Sequence, residues 1–220
     1  MEEFTTLYKI TTLDFVAIDF ETANELSISA CEIGIALVSN YIVTETQSFL
    51  IRPPDLRFSP FNTRLHGIGA DHVKEAPDFK DIWEKISDCF CGRLIIAHNA
   101  GFDLSVLRNL LLHYNIPFNP IHFTCSINVA KKVWKDYQRY GLKSLSKILG
   151  IELNHHSAAS DARACAIIAA TAFRENQVSI IEEIETKLNI YTGFISAEEY
   201  FPTRIKNMSS QVAEHYHLQH

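Results

Sequence analysis

The 220-residue chain has no cationic excess: 26 acidic residues outnumber 20 lysines and arginines, for a formal net charge of −6. That balance argues against a protein that coats nucleic acid by bulk electrostatics, a mode that needs a basic surface. It leaves room for an enzyme that grips one end of a strand through bound metal ions. No run approaches the ~20 apolar residues of a membrane span, and Met1–Thr12 mixes Glu, Thr and Lys without an apolar core of signal length. The five cysteines (Cys31, Cys89, Cys91, Cys125, Cys165) are odd in number and scattered, without zinc-type double pairs. They read as reduced, mostly core thiols of a soluble, cytoplasmic protein with no membrane partner. Internal repeats and low-complexity tracts are absent too. What the chain does have is 47% hydrophobic residues, enough for one generous domain. The expected organisation is an extension over residues 1–12, a domain over 13–190 and a tail over 191–220.

Val16–Phe20, Glu32–Val38 and Tyr41–Ile51 read as three strands with short links, an antiparallel meander. Asp55–Pro77 is a long irregular connection, either functional or a packed surface excursion. Asp78–Phe90 has helical spacing, Leu94–Ala97 reads as a strand, and Phe102–Tyr114 as a helix. Ile127–Lys135, Leu142–Leu149, the Ala-rich Ser157–Phe173 and Val178–Leu188 read as further helices. Strands first, then strand–helix alternation, predict an α/β domain with a mixed central sheet flanked by helices.

The chemistry centres on Phe15–Asn24, an apolar run that ends in Asp19 and Glu21. Strand side chains alternate, so the two acids share a face. Two acids side by side at the end of a buried strand are costly without a cation between them. Asp103 opens the helix after Leu94–Ala97, where it reads either as a dipole-matched cap or as a further ligand. His156 and Asp161 lie five positions apart, about 140° on one helix. They converge only if His156 sits on the lead-in loop, before Ser157 or Ser160 caps the helix that carries Asp161.

Four carboxylates held within a few ångström of one another require divalent cations. Ligation by oxygen alone favours Mg²⁺ or Mn²⁺ over zinc. Two such ions, about 3.5–4 Å apart, clamp the attacking and leaving oxygens of a phosphodiester. A histidine with a pKa near ~6.5 then serves as base for the attacking water.

Asp19-x-Glu21, Asn99-x-x-Phe-Asp103 and His156-x4-Asp161, in that order, resemble the three motifs of the DEDD 3′–5′ exonucleases. Placing His five before the last Asp, with Ser157 at the position four before, marks the histidine branch, which includes the DNA polymerase III ε subunit and ribonuclease T. Ile51-Arg-Pro-Pro54, His66-Gly-Ile68, Ala97-His-Asn99 and Tyr140–Leu145 support the match, which runs from about Phe15 to Phe173. The ε-like exonucleases are the nearest in pattern.

The resemblance implies a ribonuclease-H-like fold. It also implies two-metal hydrolysis of 3′-terminal phosphodiesters, releasing nucleoside 5′-monophosphates from single-stranded or frayed ends. Asp19, Glu21, Asp103 and Asp161 would hold the metals, and His156 would be the general base, with His155 its rival. Thr22, Ala23 and Asn24 would approach the terminal nucleotide, and His66, Asn99 and Phe102 would line the same cleft. DNA is the expected substrate. RNA trimming is the alternative, and a non-catalytic nucleic-acid-binding module on the same fold is the reading of another class.

Lys131, Lys132, Lys135, Arg139, Lys143 and Lys147 cluster with only Asp136 among them, either as a solvated helical face or as a phosphate rail. The tail carries Phe194, Tyr200, Phe201 and Tyr216, too aromatic for a simple linker. It either packs back onto the domain or docks a polymerase or repair partner. His215, His217 and His220 are assigned no role.

Overall fold

The computed structural model describes residues 13–206. The meander is formed by β1 (Phe15–Thr22), β2 (Ala30–Ser39) and β3 (Ile42–Leu50). Asn40 and Tyr41 turn the second hairpin with both φ positive, 53° and 59°, as a two-residue hairpin turn requires. The connection that follows is less irregular than its sequence implies, because it contains α1 (Pro60–His66) and α2 (Ala70–Val73). α1 buries no residue, so it has no apolar stripe for a periodicity argument to find. Its signals are local: Ser59 accepts a hydrogen bond from the Phe61 amide, Pro60 opens the helix, and Gly67 closes it at φ 79°.

α3 (Phe79–Phe90) starts at an Asp78 cap and turns Phe79, Ile82, Trp83, Ile86 and Phe90 inward. β4 (Leu94–Ala97) runs parallel to β1 and leads into α4 (Gly101–His113). The next element, β5 (Ile121–Cys125), is parallel to β4 and is not apparent in the sequence; five residues are too few for alternation to stand out. α5 (Ser126–Val133), α6 (Leu142–Leu149), α7 (Ala158–Glu175) and α8 (Ile181–Leu188) follow.

The chain then adds β6 (Ile190–Tyr191), β7 (Gly193–Ile195), β8 (Tyr200–Phe201) and β9 (Arg204–Ile205). The main sheet has the order β3-β2-β1-β4-β5-β7-β8, while β6 and β9 pair separately. The sheet therefore continues past residue 190, with β7 antiparallel on β5. Arg108 of α4 clamps this segment by donating to the Ser196 and Ala197 carbonyls, both at 2.8 Å. Residues 1–12, and Tyr216, His215, His217 and His220 of the tail, lie outside the described residues. This mixed sheet with helices on both faces is the α/β architecture expected from the residue pattern, and the ribonuclease-H-like one that the resemblance implies. All five cysteines are unpaired, with Cys31, Cys125 and Cys165 buried. Among the described residues no helix is long and apolar enough to cross a membrane.

Strand alternation splits the interior into two layers. Phe15 and Ala17 join α5, α6, α7 and α8 on one face, and Val16, Ile18 and Phe20 join α3 and α4 on the other. Asp19 and Glu21 continue the Phe15–Ala17 register, so they point towards the α7 side. Gly34 pairs with Asp19 across β1 and β2, and a Cβ built on it would lie 1.9 Å from the Ala158 carbonyl oxygen. Glycine at this one position lets the first turn of α7, which carries Asp161, close on the acidic strand. Gly34→Ala is expected to cost about 1–3 kcal/mol through overpacking and to lower Tm by about 2–10 °C, measured by thermal unfolding. An unchanged Tm would show that α7 yields without cost.

Candidate active site

Three elements deliver the acids. The end of β1 presents Asp19 and Glu21, the first turn of α4 presents Asp103, and the first turn of α7 presents Asp161. Oxygens of Asp19, Glu21 and Asp161 all lie within 4.8 Å of one another. Asp103 stands beside them, fully held in the fold, with Oδ1 accepting from the Phe20 amide at 2.9 Å. A helix start is a sensible place for each of the two distant acids, since the first-turn amides and the dipole favour negative charge.

Among the described residues no lysine or arginine pairs with the cluster, and its electrostatics follow from that. Asp19 is pushed well above the usual carboxylate range, first by burial and then by the charges of Asp103, Asp161, Glu21 and Glu32. Burial raises Glu21 to about 7, reinforced by Asp161, Glu32 and Asp103. Asp103 is likewise raised to about 7 by burial, against the Phe20 hydrogen bond that lowers it. Asp161 Oδ1 is buried without a hydrogen-bond partner in the described residues. Clustered oxygens, raised pKa values and an orphaned carboxylate oxygen fit a divalent cation. Glu32 does not stand out in the sequence, although it pairs with Glu21 across the hairpin and its Oε2 accepts from the Ala158 amide at 3.4 Å.

His156 sits on the lead-in loop at φ 66°, ahead of the Ser157 cap of α7. Its amide donates to Asp161 Oδ2 at 3.2 Å. Burial and the neighbouring His155 hold its pKa below the ordinary 6.5, against the pull of Asp161. His155 Nδ1 lies 2.9 Å from the same Asp161 oxygen, and the two rings stack at 3.9 Å. His155 is thus committed to the carboxylate.

Beside the acids opens a cavity of about 360 Å³, lined by Thr22, Asn24, Leu26, Asn62, Phe102 and Ser105 among others. Thr22, Asn24 and Phe102 therefore share one wall system. Asn24 is itself 2% exposed, with its amide donating to the Arg57 carbonyl at 2.7 Å and its Oδ1 accepting from Leu26. The side chain of Ala23 is turned inward. It is fully buried against Cys31 and Val73, its N–H donates to Ser29, and its carbonyl accepts from Ser59. Ala23 follows the last residue of β1, where the chain leaves the sheet, and its side chain is taken up by this small apolar cluster.

His66 Nε2 is 3.2 Å from the Thr22 carbonyl, and its ring feels the charges of Glu32 and His156. Asn99 is exposed in the turn before α4, at φ 73°, and its carbonyl accepts from the Phe102 amide. It is not among the residues that line the cavity. Asn62 carries no signal in the sequence because it lies in α1, whose pattern is not periodic. Its side chain donates to both the carbonyl and the hydroxyl of Thr22, at 2.7 and 3.3 Å.

Comparison with known proteins agrees with this geometry. The exonuclease family model (RNase_T) matches residues 16–169. A DNA polymerase III PolC-type protein of Mycoplasmopsis pulmonis is 31% identical over 150 residues, covering 66% of this chain. The chain spans only 10% of that protein's length. In fold it is similar to the nuclease domain of 3′hExo, a DEDDh family member bound to rAMP, with a TM-score of 0.66 at 18% identity, covering 76% of this chain and 94% of that one. Exonuclease X in complex with 5′-overhanging duplex DNA superposes with a TM-score of 0.61 at 23% identity, covering 75% and 94% of the two chains.

Proposed function

The chain belongs to the exonuclease family, a nuclease of DEDD type, and from that premise we propose that it removes nucleotides one at a time from the 3′ end of single-stranded or frayed nucleic acid, with DNA preferred. The observation that carries this reading is the convergence of Asp19, Glu21 and Asp161 oxygens within 4.8 Å, with the buried Asp103 beside them. Two divalent cations, Mg²⁺ or Mn²⁺, held by these four acids would supply the positive charge that the attacking and leaving oxygens of a phosphodiester need.

The chain's own residues supply the remainder. His156, whose pKa burial and His155 hold below the ordinary value, takes the proton of the attacking water at a ring nitrogen. Its backbone tie to Asp161 Oδ2 fixes the loop that carries it. The Phe20 amide orients Asp103, and Asn62 and His66 hydrogen-bond to the Thr22 carbonyl. The cavity of about 360 Å³ beside Thr22 and Phe102 is sized for the terminal nucleotide, with Phe102, 46% exposed, offering a ring face for the base.

The similarity to PolC-type polymerases favours DNA and a proofreading or repair role beside a polymerase. Residues 13–190 would form the catalytic unit, completed by the strands that follow to residue 205. A partner would have to engage the tail around strands already paired within the chain.

Incubation with 3′-labelled and 5′-labelled DNA and RNA oligonucleotides, in Mg²⁺, Mn²⁺ or EDTA, tests the proposal. Mononucleotides should appear from the 3′ end, only with metal, and faster from DNA. Activity that survives EDTA, or degradation that begins at the 5′ end, overturns the mechanism. Faster RNA trimming would move the substrate to RNA, where a contact to the 2′-hydroxyl would have to be found.

A further inference from the structure

Resting on the reading above, we propose that the outer surface of the α5–α6 hairpin is a docking track for the phosphates of the single strand upstream of the 3′ end held in the acidic cleft. Six cations lie on this hairpin: Lys131 and Lys132 in the last turn of α5, Lys135 and Arg139 in the connection, Lys143 and Lys147 one turn apart on α6. All but the half-buried Lys132 are exposed. None of the six enters an ion pair among the described residues. In a chain with 26 acids and 20 lysines and arginines, a patch of six cations without an acidic partner is left available for an external anion. Polyphosphate chains bind such a patch by releasing condensed counterions.

The connection holds its cations on a braced frame. Tyr140 donates from its hydroxyl to the Trp134 carbonyl at 2.7 Å, and the Trp134 and Tyr137 rings stack at 5.8 Å. Trp134 Nε1 is tied to Glu175 at the end of α7 at 3.0 Å. A track that is already ordered loses little conformational freedom when a strand docks on it.

The hairpin also adjoins the active site. His98, which directly follows β4 and precedes the Asp103 turn, bonds through Nδ1 to the Ser126 hydroxyl at the start of α5 at 2.8 Å. The same ring is within reach of the Tyr140 backbone and of the His155 charge. The start of α5 at Ser126 and the residues just before α6 at Tyr140 thus both lie beside His98, on the wall that leads into the Asp103 turn. Arg139 directly precedes Tyr140 and Lys143 lies in the first turn of α6 just after it, so a strand leaving the cleft on this side would meet them.

The test compares two charge reversals of equal size. Arg139→Glu with Lys143→Glu alters the track, while Lys80→Glu with Lys85→Glu alters exposed positions on α3, which packs on the other face of the sheet. Binding of a 5′-fluorescein single-stranded DNA is followed by anisotropy in EDTA across a salt series, with thermal unfolding as the fold control. The track pair should weaken binding by about tenfold or more at low salt. It should also reduce the salt slope by about 0.7 for each phosphate that is no longer neutralised. The α3 pair should leave the slope in place, and hydrolysis of a dinucleotide in Mn²⁺ should be the same in all three proteins within about twofold, since so short a substrate does not reach the track. Equal slopes for wild type and track variant, or equal weakening in both pairs, overturn the inference. Absence of hydrolysis in the wild type would instead overturn the nuclease reading, and the binding slopes would still judge the track.

Discussion

Asp19→Asn is expected to lower turnover by about 10³-fold, the several kcal/mol of charge stabilisation that one metal-holding carboxylate supports, and at the same time to raise the Tm of the metal-free protein at pH 8. The two effects share a cause. Burial and four neighbouring acids push the Asp19 carboxyl well above its ordinary pKa of 3.8, so its ionised form destabilises the metal-free fold. The neutral amide keeps the shape and removes that charge.

The pH dependence follows from the neighbours. Glu21 and Asp103 rise from ordinary values of 4.5 and 3.8 to about 7 in the folded protein. Such groups bind more protons folded than unfolded between those values, so stability falls as pH rises through this window, on the order of 3 kcal/mol per group. Metal-free protein should therefore lose Tm between pH 4.5 and 7. Mn²⁺ should restore it at pH 8 in wild type by neutralising the cluster, and much less in Asp19→Asn. Thermal unfolding with EDTA or Mn²⁺ across this pH range measures both effects. A wild-type Mn²⁺ response in the variant, or full turnover, would remove Asp19 from the metal site.

The second large effect is at the loop before α7. His156→Asn should lower kcat by about 10²-fold or more, the usual contribution of a positioned base, while leaving the Mn²⁺-induced rise in Tm near its wild-type size. Asparagine is chosen because residue 156 sits at φ 66°, a conformation that Asn tolerates better than Ala. A backbone artefact is thereby avoided. His155→Ala is the comparison. His155 Nδ1 is engaged by Asp161 at 2.9 Å, so its loss should loosen the Asp161 carboxylate and raise the Mn²⁺ concentration needed for half-maximal activity more than it lowers kcat. If His155→Ala instead costs the larger share of kcat, the base is His155 and the loop inverts on substrate binding.

How much of this is legible in the chain differs from element to element. Asp19 and Glu21 announce themselves because two acids at the end of an apolar run have no bland explanation, and strand alternation alone puts them on one face. Asp103, His156 and Asp161 are legible through their order and spacing, although their arrival at one point needs the fold. α1 and Asn62 escape a sequence reading because a helix that buries nothing has no apolar period to read. The inward turn of the Ala23 side chain is not legible in the sequence, because Val73, against which it packs, lies far along the chain.

The sequence by itself determined the inventory of the candidate site: four acids, a histidine and a meander–helix order are local choices of residue type and spacing, set by strand alternation and by helix starts. Only the tertiary structure decided the convergence. It depends on contacts between positions far apart in the chain, such as Gly34 making room for the Ala158 carbonyl and the Phe20 amide holding Asp103. No periodicity records such contacts. The same holds for the unpaired cations of the α5–α6 hairpin, whose availability depends on what does not lie opposite them once the chain has folded.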